Sequence, residues 1–85
     1  MSEANDRKPQ KRSLVVAGHR TSVSLEGAFW RALRDVAARR GVSVAALVRE
    51  VDEGRGGANL SSALRVHLLR DALDRAHRAS DEGSA

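Results

Sequence analysis

The chain contains no cysteine, which excludes a disulfide framework and thiolate metal sites. Its aromatic residues are Phe29 and Trp30 alone, too few for a base-stacking platform that tracks single strands. No run approaches the roughly 18 apolar residues of a membrane-spanning helix, and the N-terminal segment lacks the apolar stretch of a signal peptide. An intracellular, cytoplasmic protein is expected. Motifs of chemistry are missing as well. There is no G-x-S-x-G nucleophile elbow, P-loop or dinucleotide fingerprint. The glycines of "GRGG" (54–57) are not spaced to cradle a phosphate ahead of a helix. His19, His67 and His77 are scattered, whereas a metal needs several converging donors. His67 and His77, ten positions apart, stand about 15 Å apart along a helix. No enzyme activity, cofactor or metal is expected.

Charge and length point elsewhere. Of 85 residues, 15 are basic and 11 acidic, and 13 of the basic ones are Arg. The net charge of +4 is a moderate bias toward a polyanion. Residues 1–12 read as a flexible basic arm ending in "KPQKR", and residues 79–85 as a disordered tail, because neither offers side chains for a core. Residues 13–78 are left to fold, and so thin a core is often completed by a second chain.

Within 13–78 the periodicity changes once. "SLVVA" (13–17) is apolar without alternation, either a short strand or a packed entry segment, and Gly18 offers a bend or bulge. Arg20 to Leu25 then alternate with the period of a strand. Arg20, Ser22 and Ser24 share one face, and Thr21, Val23 and Leu25 the other. Beyond Glu26 the spacing becomes helical. Phe29, Leu33, Val36 and Ala37 form the stripe of a helix over 26–41, with Trp30 flanking it, Arg39 and Arg40 at its end and Gly41 as its stop. Ser43 is a good N-cap for a second helix over 42–53, whose stripe is Val44, Leu47, Val48 and Val51. A third helix covers 59–78, capped by Asn59 or Ser61. Leu60, Leu64, Leu68 and Ala72 make its stripe, broadened by Ala63, Leu69, Leu73 and Ala76.

A lone strand leaves its backbone groups without partners, and no Asn-Gly or Asp-Gly turn joins "SLVVA" to "RTSVSL". The expected remedy is a second copy. Two such strands pair antiparallel across a two-fold axis, with Val23, Leu25, Phe29, Trp30, Leu33 and Leu47 in the dimer core. Arg20, Ser22 and Ser24 of both chains then point outward. A two-stranded ribbon fits the DNA major groove, where Arg reads guanine and Ser serves donor or acceptor positions. The start of the second helix, Val42 to Val44, offers free N–H groups for a phosphate.

A strand, a helix, a Gly-Val-Ser turn and a second helix over residues 19–53 resemble the ribbon-helix-helix DNA-binding proteins of the Arc and MetJ type. "KRS", "GHRTSVSLE", "FW" followed by "AL", "LV" and "NLSSALRVHLL" resemble more specifically a bacterial subfamily with an added third helix, over residues 11–73. The resemblance implies a mostly α-helical, intertwined homodimer with an intermolecular antiparallel ribbon, acting as a transcriptional regulator on double-stranded DNA at the bacterial nucleoid. It places base contacts at Arg20, Ser22 and Ser24 and phosphate contacts at Val42, Ser43 and Val44. Two departures stand out. Thr21 is polar at a core-facing position, and "SLVVAGH" lengthens the approach to the strand. Both are compatible with a longer ribbon that brings Lys11 or Arg12 to DNA, or with a one-residue shift that exchanges the faces. The other reading of the chain is a dimeric protein-interaction module, an antitoxin-like adaptor that presents Leu68, Leu69 and Leu73 of the third helix to a protein partner.

Overall fold

The computed structural model describes residues 6–83, with side chains up to residue 80. Positions 1–5 and 84–85, parts of the expected arm and tail, lie outside the described residues. Two strands, β1 (Pro9–Val16) and β2 (His19–Glu26), are followed by three helices, α1 (Gly27–Arg40), α2 (Val44–Gly54) and α3 (Leu60–Gly83).

The strands form one antiparallel pair within the single chain. Within this chain β2 is therefore not the lone strand that its sequence suggests. Its partner is β1, and residues 9–12, assigned to the basic arm, are part of that strand. The link is a two-residue turn in which Ala17 (φ 52°) and Gly18 (φ 82°) both have positive φ. Positive φ at both central residues is the requirement of the mirror-image hairpin turns, whose twist matches that of the strands. Glycine adopts this region freely, while alanine does so at a cost. Ala-Gly is thus a weak sequence signal for a turn that the chain nevertheless makes.

Register assigns the faces. Lys11 stands opposite Ser24, Ser13 opposite Ser22 and Val15 opposite Arg20. Gln10, Arg12 and Leu14 face Leu25, Val23 and Thr21 on the other side. Val16, Val23 and Leu25 are buried and Thr21 is half-buried, so the second set is the inner face. The faces of β2 are those expected from its alternation, without a one-residue shift.

Trp30, Leu33, Val36 and Ala37 make the buried stripe of α1. Trp30, 2 % exposed, takes the place expected for Phe29, which packs against the margin of the core. At Gly41 the chain turns left-handed (φ 68°). The N–H of Gly41 donates to the Ala38 carbonyl at 3.2 Å and that of Val42 to the Ala37 carbonyl at 3.0 Å. These two bonds are a Schellman stop. Ser43 caps α2, its Oγ accepting from the Ala46 N–H at 3.0 Å. Asn59 caps α3, its Oδ1 accepting from the Ser62 N–H at 3.2 Å. The third helix runs past the expected boundary at residue 78, through to Gly83.

Leu47, Val48 and Val51 of α2 and Leu64 and Leu68 of α3 close the core over the inner face of the hairpin. Val23, Leu25, Trp30, Leu33 and Leu47, expected at the heart of a dimer, are all buried within one chain.

Candidate nucleic-acid interface

The outer face of the hairpin carries Lys11, Ser13 and Val15 on β1 and Arg20, Ser22 and Ser24 on β2. All are exposed except Ser24, which is half-buried. The face exists because the inner positions of β2 are apolar and the hairpin register carries the alternation across to β1. Each of the three base-contact candidates, Arg20, Ser22 and Ser24, therefore has a neighbour from β1 directly across. Sequence reading missed Ser13 and Val15, because "SLVVA" shows no alternation. Only the register reveals that Val15, 58 % exposed, points outward between two inward neighbours.

The electrostatics of this face differ from those of the helices. Arg31, Arg39, Arg40, Arg49, Arg55, Arg65 and Arg75 are paired with carboxylates at 2.6–3.3 Å. Lys11 and Arg20 have no ion-pair partner among the described residues. Local pairing thus neutralises much of the helical surface, while both ribbon cations remain open to a polyanion.

The other candidates divide. Arg12 lies on the inner side of the register, opposite Val23. Its guanidinium sits 4.9 Å from the centre of the Trp30 ring and donates to Gln10 Oε1 at 3.0 Å. Val42 is corrected as a source of a free N–H, since its amide is used in the Schellman stop. Ser43 keeps the α2 entry in shape through its hydroxyl. The N–H groups of Val44 and Ala45, which precede the capped Ala46, have no acceptor among the described residues. This first turn of α2 faces the hairpin tip across a hollow lined by Val15, Ala17, Gly18, Ala45, Ala46 and Arg49. The strand turn and the positive end of a helix therefore lie side by side, a pairing that sequence spacing alone cannot give.

At the opposite end, Glu26 receives two hydrogen bonds from Arg65, Nε–Oε1 at 2.9 Å and Nη2–Oε2 at 3.3 Å. The Arg65 hydrogen bond, and a backbone hydrogen bond at Glu26 itself, hold the carboxyl below its usual range. Its charge is committed to α3, so the acid nearest the ribbon is matched within the chain. Among the described residues no three His, Asp or Glu side chains converge on a metal position, and no helix is long and apolar enough to cross a membrane.

A family model described as ribbon-helix-helix domain matches residues 9–72, which spans both strands, α1, α2 and the core-forming part of α3. A comparison with the curated proteins found no match. Among solved structures, the chain is similar to an uncharacterized protein from Bordetella pertussis Tohama I, at 40 % identity and a TM-score of 0.76 over 89 % of this chain. The match spans 65 % of that chain's length.

Proposed function

This chain belongs to the ribbon-helix-helix domain family, a family of DNA-binding regulators, and we propose that it binds double-stranded DNA sequence-specifically through the outer face of its hairpin. The observation that carries this reading is the contrast in charge. Among the described residues Lys11 and Arg20 have no ion-pair partner on one otherwise hydroxyl-rich face, while many helical arginines are matched by carboxylates.

A two-stranded ribbon has the width to enter a major groove. Arg20 is suited to the O6 and N7 acceptors of guanine, and Ser22 and Ser24 to either donors or acceptors. Val15, beside Arg20, offers an apolar contact of the kind a thymine methyl takes. Lys11 and the open amides of Val44 and Ala45 serve phosphates, which set position rather than sequence. In this reading each chain supplies a whole ribbon. Two copies bring two ribbons to an inverted repeat and act as a transcriptional regulator in the bacterial cytoplasm, at the nucleoid.

Selection of genomic DNA fragments by the purified protein, followed by sequencing, tests the proposal. An inverted repeat is expected among the recovered fragments. Arg20→Ala should weaken binding to that site and relax its sequence preference while leaving the fold intact. Affinity should also fall steeply with salt, each neutralised phosphate adding about −0.9 to the log–log slope. Recovery of no common sequence, together with a flat salt response, sinks the reading.

A further inference from the structure

The outer face of the hairpin has one apolar member. Lys11, Ser13, Arg20, Ser22 and Ser24 are polar, while Val15, directly opposite Arg20, is 58 % exposed. Its neighbour Val16 points the other way and is buried, so the core does not use Val15.

The ladder brings Val15 and Arg20 closer together than a generic cross-strand pair. Just beyond the strand ends, the Gly27 N–H donates to the Lys8 carbonyl at 3.3 Å. Hydrogen-bonded and non-hydrogen-bonded pairs alternate along an antiparallel ladder. Counted from Lys8 and Gly27, the Val15–Arg20 pair is non-hydrogen-bonded. Pairs of that kind hold their side chains nearest, with Cβ atoms about 5 Å apart. Val15 also lines the hollow that separates the hairpin tip from Ala45 and Ala46 in the first turn of α2. A phosphate on the open amides there would hold the edge of the groove beside Val15.

We infer that Val15 and Arg20 together read one base-pair step, a guanine stacked on a 5-methylpyrimidine, so that DNA binding responds to methylation of cytosine at C5. The inference rests on the DNA reading above and deepens it by naming the step and its chemical mark. Adjacent bases stack about 3.4 Å apart. With the Arg20 guanidinium on guanine O6 and N7, Val15 therefore falls on the neighbouring base pair. Valine has no hydrogen-bonding atom and cannot tell one donor or acceptor pattern from another. The feature it can distinguish is the apolar group that the major groove displays, the methyl on C5 of a pyrimidine. Thymine and 5-methylcytosine carry that methyl on the same ring atom. Uracil and cytosine carry hydrogen there, which leaves a gap in front of Val15 and forfeits the contact.

Fluorescence anisotropy on the site recovered by selection tests this. The guanine concerned is the one at which Arg20→Ala relaxes the preference, and a thymine is expected beside it. Replacing that thymine by uracil deletes one methyl and no hydrogen bond. It should weaken wild-type binding about fourfold, the contribution of burying one such carbon. With a C·G pair in the same place, 5-methylcytosine should bind about fourfold more tightly than cytosine. Val15→Ser removes both methyls of the side chain and should bind the methylated and unmethylated forms alike. Val15→Thr keeps one methyl and should keep the preference. Val15 lies outside the core, so circular dichroism should show both variants folded. Equal wild-type affinity for thymine and uracil at that position overturns the inference, and so does an unchanged methyl preference in Val15→Ser. Either result, with the Arg20-dependent guanine still read, leaves the function proposed above standing. Recovery of no site removes that function and this step with it.

Discussion

The indole N–H of Trp30 donates to the backbone carbonyl oxygen of Gln10 at 2.8 Å. This bond joins the first turn of α1 to the start of β1, twenty positions earlier in the chain. Trp30 is otherwise buried, so its single polar group is satisfied where an unpaired donor would be costly. Arg12 covers the same ring from outside. The outer face of β1 thus stays in register with β2 partly because an aromatic side chain beneath it grips the backbone.

Trp30→Phe keeps an aromatic ring but deletes the donor. It should lower stability by about 1–3 kcal/mol, combining a lost hydrogen bond with a small void. Urea denaturation gives the magnitude. Amide exchange should quicken at the start of β1 more than at the Ala17–Gly18 turn. Equal protection in the two proteins would show that the bond does not hold the strand.

The hairpin register divides the basic residues of β1. Lys11→Ala should reduce the salt dependence of DNA binding by roughly one phosphate, about 0.9 in slope. Arg12→Ala should leave DNA affinity nearly unchanged while costing about 0.5–1 kcal/mol of stability from the lost contact with Trp30. Fluorescence anisotropy over a salt series, beside thermal unfolding, separates the two. The reverse pattern would place the inner side of the hairpin on DNA.

Ala17 adopts a left-handed conformation that suits Asn or Gly better. Ala17→Asn creates the Asn-Gly pair favoured in this turn and should raise stability by about 0.5–1 kcal/mol. Gly18→Val should be destabilising by about 1–3 kcal/mol. A Cβ at Gly18 would meet nothing within 4 Å, so that cost comes from the backbone and not from a clash. Thermal denaturation of the two variants should therefore shift in opposite directions.

Glu26 and Arg65 predict a pH effect. The Arg65 hydrogen bond lowers the folded-state pKa of Glu26 below its ordinary value. A carboxyl depressed in this way contributes stability above its unfolded pKa and loses that contribution as pH falls through the folded one. Glu26→Gln should therefore be less stable than wild type at neutral pH, and the gap should close on acidification below the ordinary carboxylate range. Urea midpoints measured across that range decide it, and a gap that does not change with pH would remove the ion pair from the account of stability.

Much of this protein follows from its sequence alone, where a local rule has a strong periodic or capping signal. The helical period from Gly27 to Arg40, the stop at Gly41, the Ser43 cap and the alternation of Arg20 to Leu25 depend on neighbours within a turn or two of chain. The resemblance over residues 11–73 could be recognised for the same reason, and so could the outward set Arg20, Ser22 and Ser24. Tertiary structure decided what depends on distant partners. Only the second half of β1 could be read as a possible strand, because the inner positions of its first half are Gln10 and Arg12, polar residues whose inward placement makes sense only once Trp30 lies beneath them. The turn was illegible because Ala17 bears a conformation that its own preferences oppose and that the paired strands sustain. Trp30 rather than Phe29 is buried under β1, where its N–H meets the Gln10 carbonyl, a contact that depends on a residue twenty positions away. On α3 the sequence shows a broad apolar surface, and only packing against α1 and α2 separates the Leu64–Leu68 stripe that is buried from the Leu69–Leu73 stripe that remains exposed.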